Sequence, residues 1–212
     1  MVSVSIQVRT IYPARLMPSP THIIQLEDIC ARFDWREVFG NDQPVELDLG
    51  AGDGGFALAY AKQHPEINLL AVERLLGRVR KIEKRAARFG LDNLRVLRLE
   101  FGYTVKYLLP LDSVSIAHIM FPDPWPKRRH WPRRLMQPEF IRDVATALKP
   151  GGELRFTTDH AHYFETATQA LRDANALKPA AEWDWSHDPK TDFQKTFDVE
   201  GRATHRARWV KL

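Results

Sequence analysis

The feature that most restricts the fold is a regular alternation of short apolar runs with helical segments. Five runs of strand length follow one another between residues 44 and 159, each bounded by glycine, proline or polar residues. They are "PVELDLG" (44–50), "INLLAVE" (67–73), "LRVLRLE" (94–100), "VSIAHIMF" (114–121) and "ELRFTTD" (153–159), with helices predicted at 55–65, 75–89, 103–109, 135–148 and 160–175. Strands separated by helices are typical of parallel sheets with right-handed crossovers. The pattern predicts an α/β fold of the Rossmann-like kind.

The two ends of the chain lie outside this alternation. Residues 1–22 contain several prolines and are predicted to form an extension, and residues 23–40 to form a short helical region that ends near Gly40. The domain itself is predicted to span residues 41–212, after an N-terminal part at 1–40. Residues 176–212 combine an acidic, tryptophan-containing stretch with a basic ending, and we expect them to add edge strands.

Composition excludes several classes of protein. The net charge of the 212 residues is +4, which is too weak by itself to establish a nucleic-acid partner. The single cysteine, Cys30, cannot form a disulfide within the chain and is interpreted as a packing residue. No stretch approaches 18 apolar residues, the N-terminus lacks a signal-peptide pattern, and no set of metal ligands is visible. A cytoplasmic protein without a membrane or metal partner is expected.

A glycine-rich loop follows the first predicted strand and opens the first helix. In "LDLGAGDGGF", Gly50 and Gly52 form a dinucleotide-type G-x-G-x-x-G pattern with Gly55 and, equally, a G-x-G-x-G pattern with Gly54. Glycines permit the tight turn and the close approach of the backbone to a ligand. The loop predicts a cofactor crevice without separating NAD from S-adenosylmethionine.

Three acidic residues lie at or near the carboxyl ends of successive strands, which is the edge where open α/β sheets bind ligands. Asp48 requires a buried partner, for which a methionine ammonium group is suitable, whereas a dinucleotide offers no cation there. Glu73 is placed to accept hydrogen bonds from a ribose, and Glu100 to meet an adenine amino group. Because these acids would repel a pyrophosphate, they favour S-adenosylmethionine over NAD.

The stretch "FPDPWPKRRHWPRR" (121–134) follows the fourth strand on the same edge. Its prolines stiffen the backbone and argue against a central strand or a helix interior. They present Asp123, whose carboxylate can accept from the N1–H and N2–H₂ edge of guanine, and Trp125, which offers a face for stacking. A basic cluster that suits a phosphate backbone follows at once: Lys127, Arg128, Arg129, Arg133 and Arg134.

The predicted helix at 75–89 carries a second group of basic residues along one flank. Its buried face is predicted to consist of Val79, Ile82, Ala86 and Phe89. The flank is formed by residues that recur at spacings of three and four: Arg74, Arg78, Lys81, Arg85 and Arg88. They support a nucleic-acid surface, with a merely solubilising face as the alternative.

The order and spacing of "ELDLGAGDGG", "AVE", "FPDPWPKRRH" and "FTTD" resemble the bacterial tRNA (guanine-N7-)-methyltransferase family over roughly residues 28–212. The glycine loop is generic, whereas the proline-rich block is specific. The resemblance implies a class I methyltransferase fold with a mostly parallel seven-stranded sheet and helices on both faces. It also implies S-adenosylmethionine as cofactor, N7 of a guanine in the tRNA variable loop as the methylated atom, and a monomer or a homodimer.

Positions that match the family's motif carry implied roles. The resemblance assigns cofactor contacts to the glycine loop and to four acids, namely Asp48, Glu73, Glu100 and Asp123, of which Asp123 is also the implied catalytic residue. Substrate contacts are implied for Lys127, Asp159 and the segment Thr191, Asp192, Phe193 and Gln194, and the basic cluster adds Arg129. The chain departs from the family where Asp48 replaces a more frequent Glu, where Glu100 replaces Asp or Asn, and where Gln194 replaces Glu.

Guanine N7 carries a free lone pair, so methylation there needs no base, and proximity and orientation can supply most of the acceleration. We expect Asp123 to orient the guanine and to stabilise the positive charge that develops on it. Three alternatives stay open: an NAD-dependent oxidoreductase, for which no Tyr-x-x-x-Lys dyad is found, a non-catalytic RNA-binding module, and a methyltransferase that acts on another RNA or on a small molecule.

Overall fold

The computed structural model describes residues 22–181 and 184–212, which form a mixed α/β fold around one seven-stranded sheet. The order of the strands is β3-β2-β1-β4-β5-β7-β6. The first five strands are mutually parallel, whereas β7 is antiparallel to both β5 and β6. Their bounds are β1 Val45–Leu49, β2 Asn68–Val72, β3 Leu94–Leu97, β4 Val114–Met120, β5 Leu148–Thr158, β6 Lys178–Ala180 and β7 His205–Val210. The predicted, mostly parallel α/β sheet is confirmed.

Helices cover both faces of the sheet. They are α1 Trp35–Phe39, α2 Gly55–Gln63, α3 Leu76–Phe89, α4 Phe101–Tyr103, α5 Pro138–Ala147, α6 Ala161–Ala174 and α7 Asp192–Val199, with a π-helical turn at Thr104–Leu108 and a 3₁₀ helix at Arg128–Arg133. One buried cluster joins α2 and α3 to the sheet, and a second, larger one joins α5 and α6 to the opposite face.

Strand β1 is buried along its whole length, and its alternating side chains divide between the two faces. Leu47 and Leu49 belong to the cluster beneath α5 and α6. Asp48 therefore points to the face covered by α2. Since β1 lies at the centre of the sheet, this carboxylate is carried by one of the most rigid elements of the fold.

The predicted helical region at 23–40 is mostly non-helical. Only α1 is helical there. The Asp34 carboxylate caps it by accepting from the backbone N–H of Arg36 at 2.8 Å, and it ends at Gly40 with φ of 77°. The interpretation of Cys30 as a packing residue is wrong, because the cysteine is exposed in the segment that precedes α1. The extension predicted at 1–22 lies almost wholly outside the described residues.

The buried face predicted for α3 is confirmed for Val79, Ile82 and Ala86, each of which is 0% exposed. It is wrong for Phe89, which is 45% exposed. Phe89 is the last residue of the helix, and its ring packs under the guanidinium of Arg88 at 4.8 Å. The apolar spacing of the helix therefore continues one turn beyond the residues that pack against the core.

The C-terminal region adds two strands, as predicted, and also a helix that was not predicted. β6 forms the edge, while β7 lies inside the sheet between β5 and β6. Between the two strands, α7 begins at Thr191, whose hydroxyl accepts from the backbone N–H of Gln194 at 3.0 Å. Of the predicted acidic, tryptophan-containing stretch, residues 182 and 183 lie outside the described part of the chain.

The prediction that the proline-rich stretch contains no helix interior is wrong for the 3₁₀ helix, which includes Pro132. At its two ends, the backbone N–H of His130 donates to the carbonyl of Lys127 and that of Arg134 donates to the carbonyl of Trp131. Pro132 is accommodated because no bond of this short helix requires its missing N–H.

Among residues 22–181 and 184–212, no helix combines the length and the apolar character that crossing a membrane would require.

Candidate active site

A cleft of about 910 Å³ opens at the carboxyl ends of the central strands. The strand order reverses between β1 and β4, and such a switch point is where open α/β sheets bind ligands. The walls are the glycine loop, the ends of β2 and β3, the proline-rich loop after β4, and the first turn of α7. The volume suits a nucleoside-sized cofactor together with part of a second substrate.

The glycine loop is folded closely against α3. A Cβ added at Gly54, whose φ is 76°, would lie 2.5 Å from Cγ1 of Ile82 in α3. Only glycine allows this approach and this backbone conformation together. The cradle formed by residues 50–54 is therefore set by helix packing as well as by the turn.

The basic flank of α3 holds the glycine loop. Nζ of Lys81 lies 2.7 Å from Oδ2 of Asp53, and Nε of Arg78 lies 3.6 Å from Oδ1. Arg85 donates to the backbone carbonyl of Asp53 at 3.2 Å. The hydrogen bond from Lys81 keeps the pKa of the Asp53 carboxyl below its usual range. Three of the five residues predicted to form a nucleic-acid surface thus bind the protein's own loop, which corrects that interpretation for them.

Glu73 is buried at the end of β2 and bridges two backbone segments. Its Oε2 accepts from the N–H of Gly52 at 3.0 Å, and its Oε1 accepts from the N–H of Leu75 at 2.8 Å. Arg78 lies 3.7 Å from Oε2. These contacts fix the orientation of the carboxylate beside the loop, and Glu73 also lines the cleft.

Asp48 is 2% exposed, and its Oδ2 has no hydrogen-bond partner among the described residues. Burial, followed by the nearby negative charge of Glu73, raises the pKa of Asp48 to about 7. A buried carboxylate without a partner is costly. The side chain lines the cleft, so a cationic ligand group placed there would supply the missing partner.

Glu100 occupies the end of the segment after β3 and caps α4. Its carboxylate accepts from the backbone N–H groups of Gly102 at 3.0 Å and Tyr103 at 2.7 Å. It is exposed and lines the same cleft as Asp48. The three acids predicted from the strand ends are thus brought together around one cavity.

The proline-rich loop contributes Asp123, an exposed carboxylate at the cleft wall. The loop begins with a hydrogen bond from the N–H of Phe121 to the carbonyl of Thr157 at 2.8 Å. Phe121 and Trp125 have φ of 50° and 42°, values that non-glycine residues rarely adopt. Such strained conformations persist only where the surroundings impose them.

The basic cluster after this loop is divided by the fold into three environments. Lys127, Arg128 and Arg129 are exposed beyond the cleft. Arg133 lines the cleft, with its guanidinium 5.2 Å from the centre of the Trp125 ring. Arg134 is only 4% exposed, which corrects its interpretation as a surface phosphate contact.

The first turn of α7 covers the glycine loop. Thr191, Asp192 and Phe193 line the cleft, and a Cβ added at Gly55 would lie 2.7 Å from Oδ2 of Asp192. Two residues with implied substrate contacts lie elsewhere. The side chain of Gln194 is not part of the cleft wall, and Asp159 forms an ion pair with Arg202, in the turn that follows α7.

Sequence reasoning missed several residues of the cleft. Leu75 and Phe101, which lie two residues and one residue after Glu73 and Glu100, form apolar parts of the wall. Their position close to Glu73 and Glu100 was a usable signal. Asp53 gave no signal, because its role depends on α3, which only the folded chain brings beside it.

Comparison with known proteins agrees with this geometry. A family model described as "Putative methyltransferase" matches residues 42–211. A protein of Syntrophotalea carbinolica named tRNA (guanine-N(7)-)-methyltransferase is 32% identical over 188 residues, which are 87% of this chain and 81% of the relative. One of the same name from Myxococcus xanthus is 33% identical over 84% of this chain and 88% of the relative. The chain belongs to the tRNA (guanine-N(7)-)-methyltransferase family.

Solved structures extend the comparison to the fold. The structure titled 16S rRNA methyltransferase KamB aligns with a TM-score of 0.63 at 18% identity, and covers 88% of this chain and 96% of its own. The aminoglycoside resistance methyltransferase NpmB1 aligns with a TM-score of 0.56 at 19% identity, over 84% and 93% of the two chains. The class I methyltransferase fold implied by the resemblance is confirmed.

Proposed function

We propose that this enzyme transfers the methyl group of S-adenosylmethionine to N7 of a guanine in tRNA. The observation that carries the proposal is the cleft itself, which places the unpartnered carboxylate of Asp48 and the loop that presents Asp123 at one sheet edge. Membership of the family agrees with this chemistry.

The cofactor half of the cleft suits a cationic amino-acid group joined to a nucleoside. Asp48 would accept from the methionine ammonium group, and burial would strengthen this charge-assisted contact. The backbone of Gly50 and Gly52 would lie against the cofactor, while Glu73 would accept from the ribose hydroxyls and Glu100 would meet the adenine side. When bound, S-adenosylmethionine supplies an electrophilic methyl group on a sulfonium centre.

The same acids count against NAD. A pyrophosphate in this cleft would lie near the carboxyl groups of Asp48 and Glu73, which are only 2% and 6% exposed. Like charges at this distance repel strongly where water is excluded. The oxidoreductase alternative is therefore disfavoured on electrostatic grounds.

The guanine half of the cleft is assigned to Asp123. Its carboxylate would accept from N1–H and N2–H₂ of the base, which orients N7 toward the methyl group. N7 uses its own lone pair, so Asp123 need not remove a proton, and its negative charge would stabilise the positive charge of the methylated ring. Trp125 and Phe193 offer apolar surface beside the base.

The tRNA backbone is assigned to the exposed basic residues beyond the cleft. Lys127, Arg128 and Arg129 would contact phosphates, and Arg133 would link them to the cleft. Thr191, Asp192 and Phe193 would contribute further substrate contacts from the start of α7. We propose that the guanine lies in the variable loop. A tRNA substrate also agrees with the predicted cytoplasmic location of the protein.

The test is transfer of labelled methyl from S-adenosylmethionine to an unmodified tRNA transcript, followed by mapping of the modified base. Label at N7 of a guanine supports the proposal. Label on another RNA or a small molecule would favour a different methyltransferase. Binding of tRNA without any transfer would favour a non-catalytic module.

A further inference from the structure

We propose that Arg134 is a positioning residue, which holds the proline-rich loop so that Asp123 faces the substrate. This inference rests on the proposed methyl transfer and goes beyond it, because neither the motif nor the cleft chemistry assigns Arg134 this role. Within the basic run, it is the residue that the fold withdraws from solvent.

The guanidinium of Arg134 joins the loop to α6. Its Nε donates to the backbone carbonyl of Pro124 at 2.9 Å, and its Nη1 donates to Oγ1 of Thr166 in α6 at 2.7 Å. Nδ1 of His162 lies 3.4 and 3.3 Å from the two terminal nitrogens, where a neutral imidazole can accept. The planar fork of arginine makes these contacts simultaneously, which a lysine ammonium cannot do.

Two aromatic rings enclose the same guanidinium. Its carbon lies 4.9 Å from the centre of the Trp131 ring and 4.8 Å from that of Tyr163. Tyr163 is fully buried, and its hydroxyl accepts from the backbone N–H of Met136 at 3.2 Å. The ring that supports Arg134 is therefore itself fixed in the core.

The charge of Arg134 is expensive to bury. It is 4% exposed, and within residues 22–181 and 184–212 no carboxylate forms an ion pair with it. An apolar side chain would fill such a space at lower cost. What arginine adds is a set of directed hydrogen bonds. The first of these, to the carbonyl of Pro124, reaches the proline-rich loop.

The bond to Pro124 acts where the loop is most strained. The Pro124 carbonyl belongs to the peptide that enters Trp125, the residue with φ of 42°, and Asp123 directly precedes Pro124. Fixing the direction of that carbonyl fixes the plane of the peptide and thus the turn on both sides of it. Without this bond, the strained turn can relax, and the Asp123 carboxylate moves with it.

The experiment compares Arg134→Lys with Arg95→Lys. Arg95 lies in β3, away from the cleft, and also uses its guanidinium to bind backbone, namely the carbonyls of Val38, Asp92 and Leu94. We expect both variants to lose similar thermal stability. We expect Arg134→Lys alone to lower kcat for methyl transfer about tenfold or more, since small misplacements of a catalytic group are that costly. Its Kd for S-adenosylmethionine should stay within about twofold of wild type.

Thr166→Val serves as a second, milder variant, because it removes the hydrogen bond at the α6 end of the arginine while leaving the loop sequence intact. Its kcat should lie between those of wild type and Arg134→Lys. Equal kcat losses in Arg134→Lys and Arg95→Lys, or a raised KM for tRNA with unchanged kcat, would overturn the inference while leaving the proposed function intact. A wild-type protein that methylates no tRNA would overturn both.

Discussion

Two loops that line the cleft are both held by basic residues, but in opposite ways. The glycine loop is bound by basic residues along the flank of α3, where Lys81, Arg78 and Arg85 meet the side chain or the backbone of Asp53. The proline-rich loop is bound from inside by the buried Arg134, which meets the carbonyl of Pro124. In sequence, both groups are simply basic runs near a motif.

The two groups of basic residues differ in how many side chains remain available to contact an RNA partner. On α3, three of the five basic residues bind the enzyme's own loop. In the other run, Lys127, Arg128 and Arg129 are exposed, and no ion pair with a carboxylate is found for them in the described part of the chain. This difference supports the proposal that the first loop binds the cofactor and that the second binds the guanine and the RNA backbone.

The largest effect is expected at the tip of the proline-rich loop. Asp123→Asn keeps the shape of the side chain but removes its charge, so kcat for methyl transfer should fall by about a hundredfold or more. Equilibrium binding of S-adenosylmethionine should change far less than kcat, because Asp48 and Glu73 would still hold the cofactor. Measurement of kcat and cofactor Kd on the same preparation checks both, and an undiminished kcat would remove Asp123 from catalysis.

In strand β1, Asp48→Asn should do the reverse. It removes the proposed partner of the methionine ammonium group and should weaken cofactor binding at pH 8 about tenfold or more, as for the loss of a buried charged hydrogen bond. Calorimetric titration of wild type and variant with the cofactor gives the two Kd values. Equal affinities would show that Asp48 does not meet the ammonium group.

The same substitution should stabilise the unliganded protein. The pKa of Asp48 is raised from 3.8 to about 7, so the folded state holds this proton more tightly than the unfolded chain does. Its contribution to stability is complete below about pH 4 and is lost as the pH rises toward 7. Asp48→Asn removes the buried charge, so its Tm at pH 8 should exceed that of wild type by a few degrees, a gain that should shrink at pH 5.

Cofactor affinity should follow the ionisation of the same group. Only the carboxylate form attracts an ammonium group, so the Kd for S-adenosylmethionine should rise by up to about tenfold per pH unit below pH 7 and level off above it. Titrations at several pH values between 5.5 and 8.5 measure this profile. A profile unchanged in Asp48→Asn would assign the dependence to another group.

The smallest effect separates the two basic regions directly. Lys127→Ala should weaken tRNA binding severalfold and reduce the slope of log affinity against log salt by about one, as for the loss of one phosphate contact. Lys81→Ala should leave that slope unchanged and weaken cofactor binding instead, since Lys81 holds Asp53. Fluorescence titration of labelled tRNA at several salt concentrations measures these slopes. Equal slopes in the two variants would contradict the proposal that only Lys127 contacts the RNA backbone.

The parts of the fold that depend on local pattern were predictable from sequence. Each parallel strand carries its own apolar run, and the order of the strands in the sequence is enough to place Asp48, Glu73, Glu100 and Asp123 at one edge. Helix α7 was not predicted, because its first turn packs on the start of α2 at Gly55, a contact between distant parts of the chain. The same holds for Arg134, whose burial depends on α6 and which looks like its exposed neighbours in the sequence.

The most direct test of the central claim is the position of the transferred methyl group. The purified chain is incubated with methyl-labelled S-adenosylmethionine and an unmodified tRNA transcript, and the product is treated with borohydride and aniline, which cleave RNA at N7-methylguanosine. We expect labelled tRNA that is cleaved at one guanine of the variable loop. With Asp123→Asn, the amount of transferred label should be greatly reduced. Labelled tRNA that resists cleavage, or no label under conditions where the cofactor binds, would contradict it.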